Sequence, residues 1–327
     1  MAALTSFARS DLLLLARASA RRSCLGLHAR AFSASPTLAA LTPVLVTGCN
    51  RAGARAQDTQ SGDTSTGAKP DEDPIARYCE QHSTPLAEKF ATLHARSIAA
   101  YPDTANKTIS SLQGKLLQML MRITKPRLVL ELGCFMGYSA MAMADGMPRG
   151  ATLYTCEKDV KAARLARDLF VQQGYSSNGD VPQSVKIELL EGDAMSSLQK
   201  LASSKLQFDV VFLDADKGNY INYLNFILDS DLLASDGYIL ADNVLFRGMV
   251  LQSTDVSPEL PSPPPSPQLS HKSSISHLDT KQERRKASLR KTADHMNAFN
   301  EHVKSDPRID VAVLPIFDGL SVIMRNE

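Results

Sequence analysis

The chain of 327 residues lacks the glycine-rich signatures of two common nucleotide sites. Neither G-x-G-x-x-G nor G-x-x-x-x-G-K-[ST] occurs in it, which argues against a dinucleotide site and against a P-loop. An excess of one charge is also missing: the net charge is only +1, so the composition indicates no nucleic-acid partner. The five cysteines form no C-x-x-C pair and therefore predict neither a disulfide framework nor a zinc site.

The first 56 residues differ in composition from the rest of the chain. They contain seven arginines, no lysine and a single acid, Asp11, which is typical of a mitochondrial transit peptide. The arginines keep every apolar run shorter than the roughly 20 residues of a membrane span. We therefore expect import into the mitochondrial matrix; a disordered tail, a short membrane anchor and a cytoplasmic location are the alternatives. Residues 57–73, rich in Gly, Ser, Thr and Asp, predict a linker.

Five short apolar runs bounded by polar residues predict buried strands of a parallel sheet. The first run leads into a turn at Gly133, the second ends in Glu157, and the third ends in Asp193 and Ala194. An acid after the second strand is placed to bond ribose hydroxyls, and the segment after the third strand suits the edge of an adenine. The runs are residues 128–132, 152–156, 185–190, 208–213 and 237–241.

The last two runs are followed by a concentration of oxygen-bearing side chains. Asp214, Asp216 and Lys217 follow one of them, and Asp242 and Asn243 follow the other. Open α/β sheets bind their ligands at the carboxyl ends of the strands, so these side chains are expected to share a cleft. Two carboxylates and an amide with a lysine alongside favour a hard divalent cation and a proton acceptor at one site.

The remaining segments predict helices, one insertion and two further strands. Residues 253–285 are rich in proline and serine and then in basic residues, and they predict a solvated insertion; gating of the cleft or partner binding are the alternatives. A helix over 293–303 and strands over 309–314 and 320–324 follow. Residues 74–100 predict one or two amphipathic helices over the domain, with an apolar face of Ile75, Tyr78, Cys79, Leu86, Phe90, Leu93 and Ile98.

Several motifs stand in the order and at the spacing of a known family. They are E-L-G-x-x-x-G-Y-S at 131–139, the acid Glu157, G-D-A at 192–194, L-D-A-D-K at 213–217, N-Y-x-N-Y at 219–223, A-D-N-x-L-F-R-G at 241–248 and L-P-I-x-D-G-L at 314–320. Over about residues 74–327 the chain resembles the cation-dependent class I S-adenosylmethionine O-methyltransferases, specifically the caffeoyl-CoA and catechol O-methyltransferases. With the strand pattern, this implies an α/β, Rossmann-like, doubly wound sheet of seven mostly parallel strands that ends in an antiparallel pair.

The resemblance also implies S-adenosyl-L-methionine as the cofactor. Glu131 would contact its methionine portion or ribose, Glu157 its ribose diol and Asp216 its amine. The remaining residues would contribute backbone contacts, a bond to the cofactor carboxylate or the border of the adenine. The full set implied is Ile109, Glu131, Gly133, Cys134, Ser139, Glu157, Asp193, Ala194 and Asp216.

For the reaction itself, the resemblance implies a cation site and a base. Asp214, Asp242 and Asn243 would bind the cation, with Mg²⁺ expected first and Mn²⁺ or Ca²⁺ as alternatives. Asp214 and Lys217 would be catalytic, with Lys217 as the general base that accepts a hydroxyl proton from an ortho-diphenol. A lysine near a dication in a desolvated cleft is expected to have a lowered pKa.

Some residues and properties stay open at this level. Arg247 would pair with an acidic substrate group or with a surface carboxylate, and Tyr220, Tyr223 and Phe246 would wall the substrate ring or pack in the core. A homodimer is implied by the resemblance alone. Two other functions compete with the enzyme: a non-catalytic cofactor-binding scaffold, and a nucleotide-dependent oxidoreductase, which the missing G-x-G-x-x-G disfavours.

Overall fold

A seven-stranded sheet with the order β3-β2-β1-β4-β5-β7-β6 organises the molecule. The structure is a computed structural model that describes residues 74–104, 107–175, 184–253 and 277–326. The predictions for residues 1–56 and 57–73, and for most of the insertion, lie outside these residues. The strands are β1 (Leu128–Leu132), β2 (Thr152–Glu157), β3 (Lys186–Glu191), β4 (Phe208–Leu213), β5 (Leu233–Asp242), β6 (Ile309–Leu314) and β7 (Leu320–Arg325).

The first five strands are parallel, and those that carry the predicted site residues end at one edge. Leu132 pairs with Cys156 and with Leu213, and Leu213 pairs with Ala241. The chain order reverses between β1 and β4, which creates the switch point where doubly wound sheets bind ligands. The last two strands complete the sheet in antiparallel pairing, so the predicted fold is confirmed.

Helices bury apolar side chains against both faces of the sheet. α2 to α5 contribute Phe90, Leu117 and Phe170 to the core on one face. α6 to α8 contribute residues such as Leu198 and Phe299 to the core on the other face. The helices are α1 (Pro74–Gln81), α2 (Glu88–Ala100), α3 (Ser111–Thr124), α4 (Tyr138–Ala144), α5 (Val160–Gln172), α6 (Ala194–Ser203), α7 (Tyr220–Asp229) and α8 (His277–Ser305).

The C-terminal helix α8 corrects the predicted extent of the solvated insertion. We expected a loop up to residue 285 and a helix from 293, but α8 already begins at His277. Its later part buries Met296 and Phe299, whereas residues 283–288 are exposed. The early part has no apolar stripe in its sequence, but its Lys, Glu, Arg and Ala residues are good helix formers. Periodicity does not detect such a helix.

The predicted apolar face over residues 74–100 is only partly correct. Phe90 and Leu93 of α2 are buried, but Ile75 and Tyr78 of α1 are 72% and 62% exposed. Helical spacing shows which side chains share a face but not whether another element covers it. Among the described residues, no helix is both long and apolar enough to cross a bilayer.

Candidate active site

A cleft of about 680 Å³ opens at the carboxyl ends of β1, β2, β4 and β5. It brings together almost every side chain that the sequence predicted to be functional, since the parallel register places the strand ends side by side. The exception is Glu131, which lies behind the surface of the cleft. The predicted residues that line it are Ile109, Gly133, Cys134, Ser139, Glu157, Asp193, Ala194, Asp214, Asp216, Lys217, Asp242 and Asn243.

The loop after β1 is held against β2 by backbone and carboxylate bonds. The amides of Gly133 and Cys134 both donate to the Cys156 carbonyl, at 3.1 and 3.0 Å. Oε2 of Glu157 accepts from the Phe135 amide at 2.6 Å, and its Oε1 accepts from the Asp159 amide at 2.7 Å. The carboxylate of Glu157 is therefore fixed in the wall of the cleft at the position predicted for a ribose contact.

The turn after β3 places Asp193 at the start of α6 rather than free in the cleft. Its Oδ2 accepts from the Ser196 amide at 3.0 Å, which is the bond of a helix N-cap. The carboxylate is thus used to begin the helix. Gly192, Asp193 and Ala194 still line the cleft, in agreement with a bordering role.

Glu131 is fully buried at the end of β1. Its Oε2 accepts from the Thr155 hydroxyl at 2.5 Å, and its Oε1 finds no hydrogen-bond partner within the described residues. Burial raises the pKa of this carboxyl from its ordinary value near 4.5 to about 8, and the charges of Asp214 and Glu157 add to the effect. Direct contact with a cofactor, as predicted, would require Glu131 to be reached past the residues that line the cleft.

The raised pKa of Glu131 makes stability depend on pH. Between about pH 4.5 and 8 the folded protein holds a proton at Glu131 that the unfolded chain has lost, so its contribution to the free energy of unfolding falls by about 1.4 kcal/mol per unit of rising pH. We expect Glu131→Gln to remove this slope. Urea unfolding of both proteins at pH 5.5, 6.5 and 7.5 measures it.

The control for the Glu131 prediction is Glu301→Gln, which removes a carboxyl from an exposed position on α8. The quantity compared is the unfolding free energy of the wild type minus that of the Glu131 variant. A difference that stays constant from pH 5.5 to 7.5 would show that Glu131 is ionised throughout.

Lys217 and Asp214 form a half-buried ion pair at the end of β4. Nζ of Lys217 donates to Asp214 Oδ1 at 2.7 Å and to the Tyr220 hydroxyl at 2.9 Å. Burial by itself would lower the pKa of Lys217, but Tyr220 and Asp214 outweigh it, and the pKa is raised. This direction describes the ion pair by itself, so the lowered pKa expected of a lysine beside a dication stays a prediction.

Asp242 ends β5 close to the same charges. Burial raises its pKa to about 7, and the negative charge of Asp214 adds to this rise. The next residue, Asn243, has a left-handed φ of 60° and donates its amide to Asp242 Oδ1 at 2.8 Å. Two carboxylates and an amide thus share one wall of the cleft. No group of three or more His, Cys, Asp and Glu residues placed to hold a metal occurs in the described ranges.

The structure adds two polar residues that sequence reasoning missed. Gln113, in the first turn of α3, is buried and lines the cleft, and its Nε2 has no hydrogen-bond partner among the described residues. Asp318 accepts from the Arg247 amide and also lines the cleft. Asp318 could have been found from the sequence, because the D-G pair at 318–319 is a turn signal. Nothing distinguished Gln113 from an ordinary helical glutamine.

The aromatic residues that were left open divide between the cleft and the core. Phe246 lines the cleft, whereas Tyr220 and Tyr223 are buried in the core. Two further rings belong to the wall: Tyr101 and Phe135 lie 5.0 Å apart, and the Tyr101 hydroxyl donates to Asp159 at 2.9 Å.

The strand order β3-β2-β1-β4-β5-β7-β6 with β7 antiparallel, together with the cleft at the switch point, is the architecture that the motifs predicted for the class I S-adenosylmethionine-dependent methyltransferases. The structure of SAH-bound Podospora anserina methyltransferase PaMTH1 matches 80% of this chain and 100% of its own, with a TM-score of 0.61 and 29% identity. The O-methyltransferase ankF of Aspergillus thermomutatus is 32% identical over 250 residues, 76% of this chain and 91% of that protein. Caffeoyl-CoA O-methyltransferase 5 of Nicotiana tabacum is 26% identical over 77% of this chain and 91% of its own length.

A family model described as O-methyltransferase matches residues 80–262. The chain belongs to this O-methyltransferase family, as its motifs predicted. It is an S-adenosylmethionine-dependent O-methyltransferase that acts on a small molecule.

Proposed function

We propose that the protein transfers a methyl group from S-adenosyl-L-methionine to one hydroxyl of an ortho-diphenol, and that the reaction depends on a divalent cation. The proposal rests on one observation: Asp214, Asp242 and Asn243 line the same cleft as Lys217. A caffeoyl group, which the name of the tobacco relative contains, is itself an ortho-diphenol.

The donor set supports a hard cation. Carboxylate and amide oxygens are the ligands that Mg²⁺ prefers, with Mn²⁺ and Ca²⁺ as alternatives. The pKa of Asp242 is raised to about 7 by burial and by the charge of Asp214, which means that the two carboxylates repel each other. A cation bound by their oxygens and by Asn243 would relieve this repulsion.

The chemistry follows from where the charges lie. A bound cation would orient both vicinal oxygens of the diphenol and stabilise the nascent phenolate. Asp214 would then share its charge with that cation, so the Lys217 ammonium would lose its proton more readily. The resulting neutral amine could accept the proton of the substrate hydroxyl. The cleft walls would hold the acceptor oxygen in line with the methyl carbon and the leaving sulfur.

The rest of the cleft suits a positively charged cofactor. Acidic side chains outnumber basic ones along its walls, and the sulfonium and ammonium groups of S-adenosylmethionine are cationic. We propose that Glu157 bonds the ribose, that Asp216 meets the amine, and that Ala194 with Asp193 borders the adenine. Ile109, Gly133, Cys134 and Ser139 would complete the cofactor site, with Glu131 behind it.

Four further properties are proposals of the same standing. Mitochondrial import rests on the composition of residues 1–56. Partner binding through residues 253–285 rests on their content of proline, serine and basic residues. A homodimer is suggested by exposed apolar side chains on α1 and α3, Ile75, Tyr78, Met119 and Ile123. The absence of a nucleic-acid partner rests on the near-neutral net charge.

The deciding experiment measures methyl transfer to catechol by the full chain with Mg²⁺, with EDTA, and with EDTA followed by excess Mg²⁺. Resorcinol is the matched control, because it has the same two hydroxyls but cannot present both to one cation. We expect turnover of catechol that EDTA abolishes and Mg²⁺ restores, and turnover of resorcinol that is at least about 100-fold slower.

Other outcomes would each contradict one part of the proposal. Activity that survives EDTA would refute the cation, and equal rates with both diphenols would refute two-point binding of the acceptor. Binding of S-adenosylmethionine without turnover of any diphenol would favour the non-catalytic scaffold.

A further inference from the structure

Tyr220 and Tyr223 lie one helical turn apart at the start of helix α7, next to residues of the cleft wall. The side chains of Tyr220 and Tyr223 are 0% and 1% exposed, and neither residue lines the cleft. Buried hydroxyls are nearly always hydrogen-bonded, so their partners show what they hold in place. For both tyrosines, the hydroxyl bonds either a residue of the cleft wall or the last residue of a strand that leads into the cleft.

The Tyr220 hydroxyl joins three parts of the proposed acceptor half of the site. It accepts from Lys217 Nζ at 2.9 Å and lies 3.0 Å from the Leu213 carbonyl and 3.2 Å from the Asp242 carbonyl. Leu213 is the last residue of β4 before Asp214, and Asp242 ends β5. One hydroxyl therefore links the two strand ends that carry the proposed cation ligands.

The ring of Tyr220 is itself fixed, which makes the link rigid. It packs edge-on against Phe299 of α8, with centroids 5.3 Å apart at 83°. The Lys217 ammonium also lies 5.0 Å from the centroid of the Tyr220 ring. A side chain locked in this way holds a ligand more accurately than one that is free to change rotamer.

The Tyr223 hydroxyl serves a different residue. It donates to Asp216 Oδ1 at 2.5 Å, while Asn219 Nδ2 donates to Asp216 Oδ2 at 2.5 Å. Both oxygens of this carboxylate are thus held from behind, and Asp216 lines the cleft on the proposed cofactor side.

We propose that Tyr220 and Tyr223 are positioning residues for separate halves of the site: Tyr220 for the divalent cation and acceptor, and Tyr223 for the cofactor amine through Asp216. This inference rests on the proposed function. Removal of one hydroxyl should weaken binding in one half and spare the other, although both changes are made in the same helix turn.

The test compares Tyr220→Phe and Tyr223→Phe with the wild type as full chains. Calorimetry measures the dissociation constants of Mn²⁺ and of S-adenosylhomocysteine for each protein. We expect Tyr220→Phe to weaken Mn²⁺ binding about tenfold or more and to leave S-adenosylhomocysteine binding within about twofold. Tyr223→Phe should weaken S-adenosylhomocysteine binding about fivefold and leave Mn²⁺ binding unchanged. In kinetics, the first should lower kcat and the second should raise KM for the cofactor.

Phe299→Leu is the matched control, because it disturbs the packing of Tyr220 but keeps its hydroxyl. It should lower the unfolding temperature and weaken Mn²⁺ binding less than Tyr220→Phe does, because the hydroxyl and its partners remain. Asn219→Ala, which removes the second support of Asp216, should reproduce the effect of Tyr223→Phe and replaces that variant if it does not fold.

Losses of both affinities in parallel with thermal stability, or no loss in either tyrosine variant, would overturn the proposal. A wild-type protein that binds no Mn²⁺ would instead refute the cation site and, with it, the role of Tyr220. The S-adenosylhomocysteine measurements would still decide the role of Tyr223.

Discussion

Asp214→Asn is expected to lower kcat for catechol methylation by roughly 100- to 10,000-fold. The substitution removes one charged ligand of the proposed cation and the partner that Lys217 bonds at 2.7 Å, and a positioned proton acceptor alone typically contributes 10²–10⁴-fold. The amide keeps the size of the side chain, so the fold should remain. Initial rates at saturating S-adenosylmethionine and Mg²⁺ measure the effect, and calorimetry should show that Mn²⁺ binding is lost.

Glu157→Gln provides the complementary result in the other half of the cleft. Its carboxylate accepts from the Phe135 and Asp159 amides and faces the proposed ribose position, so the variant should weaken S-adenosylhomocysteine binding while Mn²⁺ binding persists. Asp214→Asn should show the reverse pattern. Mg²⁺-dependent turnover within tenfold of the wild type in Asp214→Asn would exclude this residue from the cation site.

Gly133→Ala should destabilise the protein by about 3 kcal/mol or more, which corresponds to roughly 6–12 °C in unfolding temperature. The residue has a φ of +101°, where a side chain costs about 1–3 kcal/mol. A Cβ there would also lie 2.1 Å from the Asp214 carbonyl oxygen, and relief of such overpacking adds about 1–3 kcal/mol. The backbone that precedes Lys217 would have to move, so Mg²⁺-dependent activity should fall as well.

Gly192→Ala separates the two contributions to this loss of stability. Gly192 has a φ of +119°, but a Cβ there would meet nothing within 4 Å. Its substitution should therefore cost only the backbone strain, about 1–3 kcal/mol. Thermal unfolding of both variants gives the comparison, and an equal loss in the two would mean that the close approach of Gly133 to Asp214 is unimportant.

The strands and their polar ends were predictable because each depends on a short local pattern. A run such as 208–213 is apolar since both faces of a central parallel strand are buried, and the side chain that follows it must emerge at the sheet edge. Register then brings the ends of β1, β4 and β5 together, so the group Asp214, Asp242 and Asn243 could be foreseen without coordinates.

The errors arose where a property depends on what covers or faces a residue. Ile75 and Tyr78 have helical spacing but are exposed, because spacing does not specify a neighbour. The early part of α8 is a helix with no apolar stripe, which periodicity cannot detect. The pKa of Lys217 likewise depends on Asp214 and Tyr220, which accept its hydrogen bonds.

The sequence by itself determined the sheet, the class of enzyme and the identity of most cleft residues, since hydrophobic runs and adjacent polar motifs are local in the chain. Only the tertiary structure decided that Glu131 lies behind the cleft, that Gln113 and Asp318 join its wall, and that Tyr220 links the ends of two strands. Burial, hydrogen-bond partners and pKa shifts are set by residues far apart in sequence, and packing alone brings those residues together.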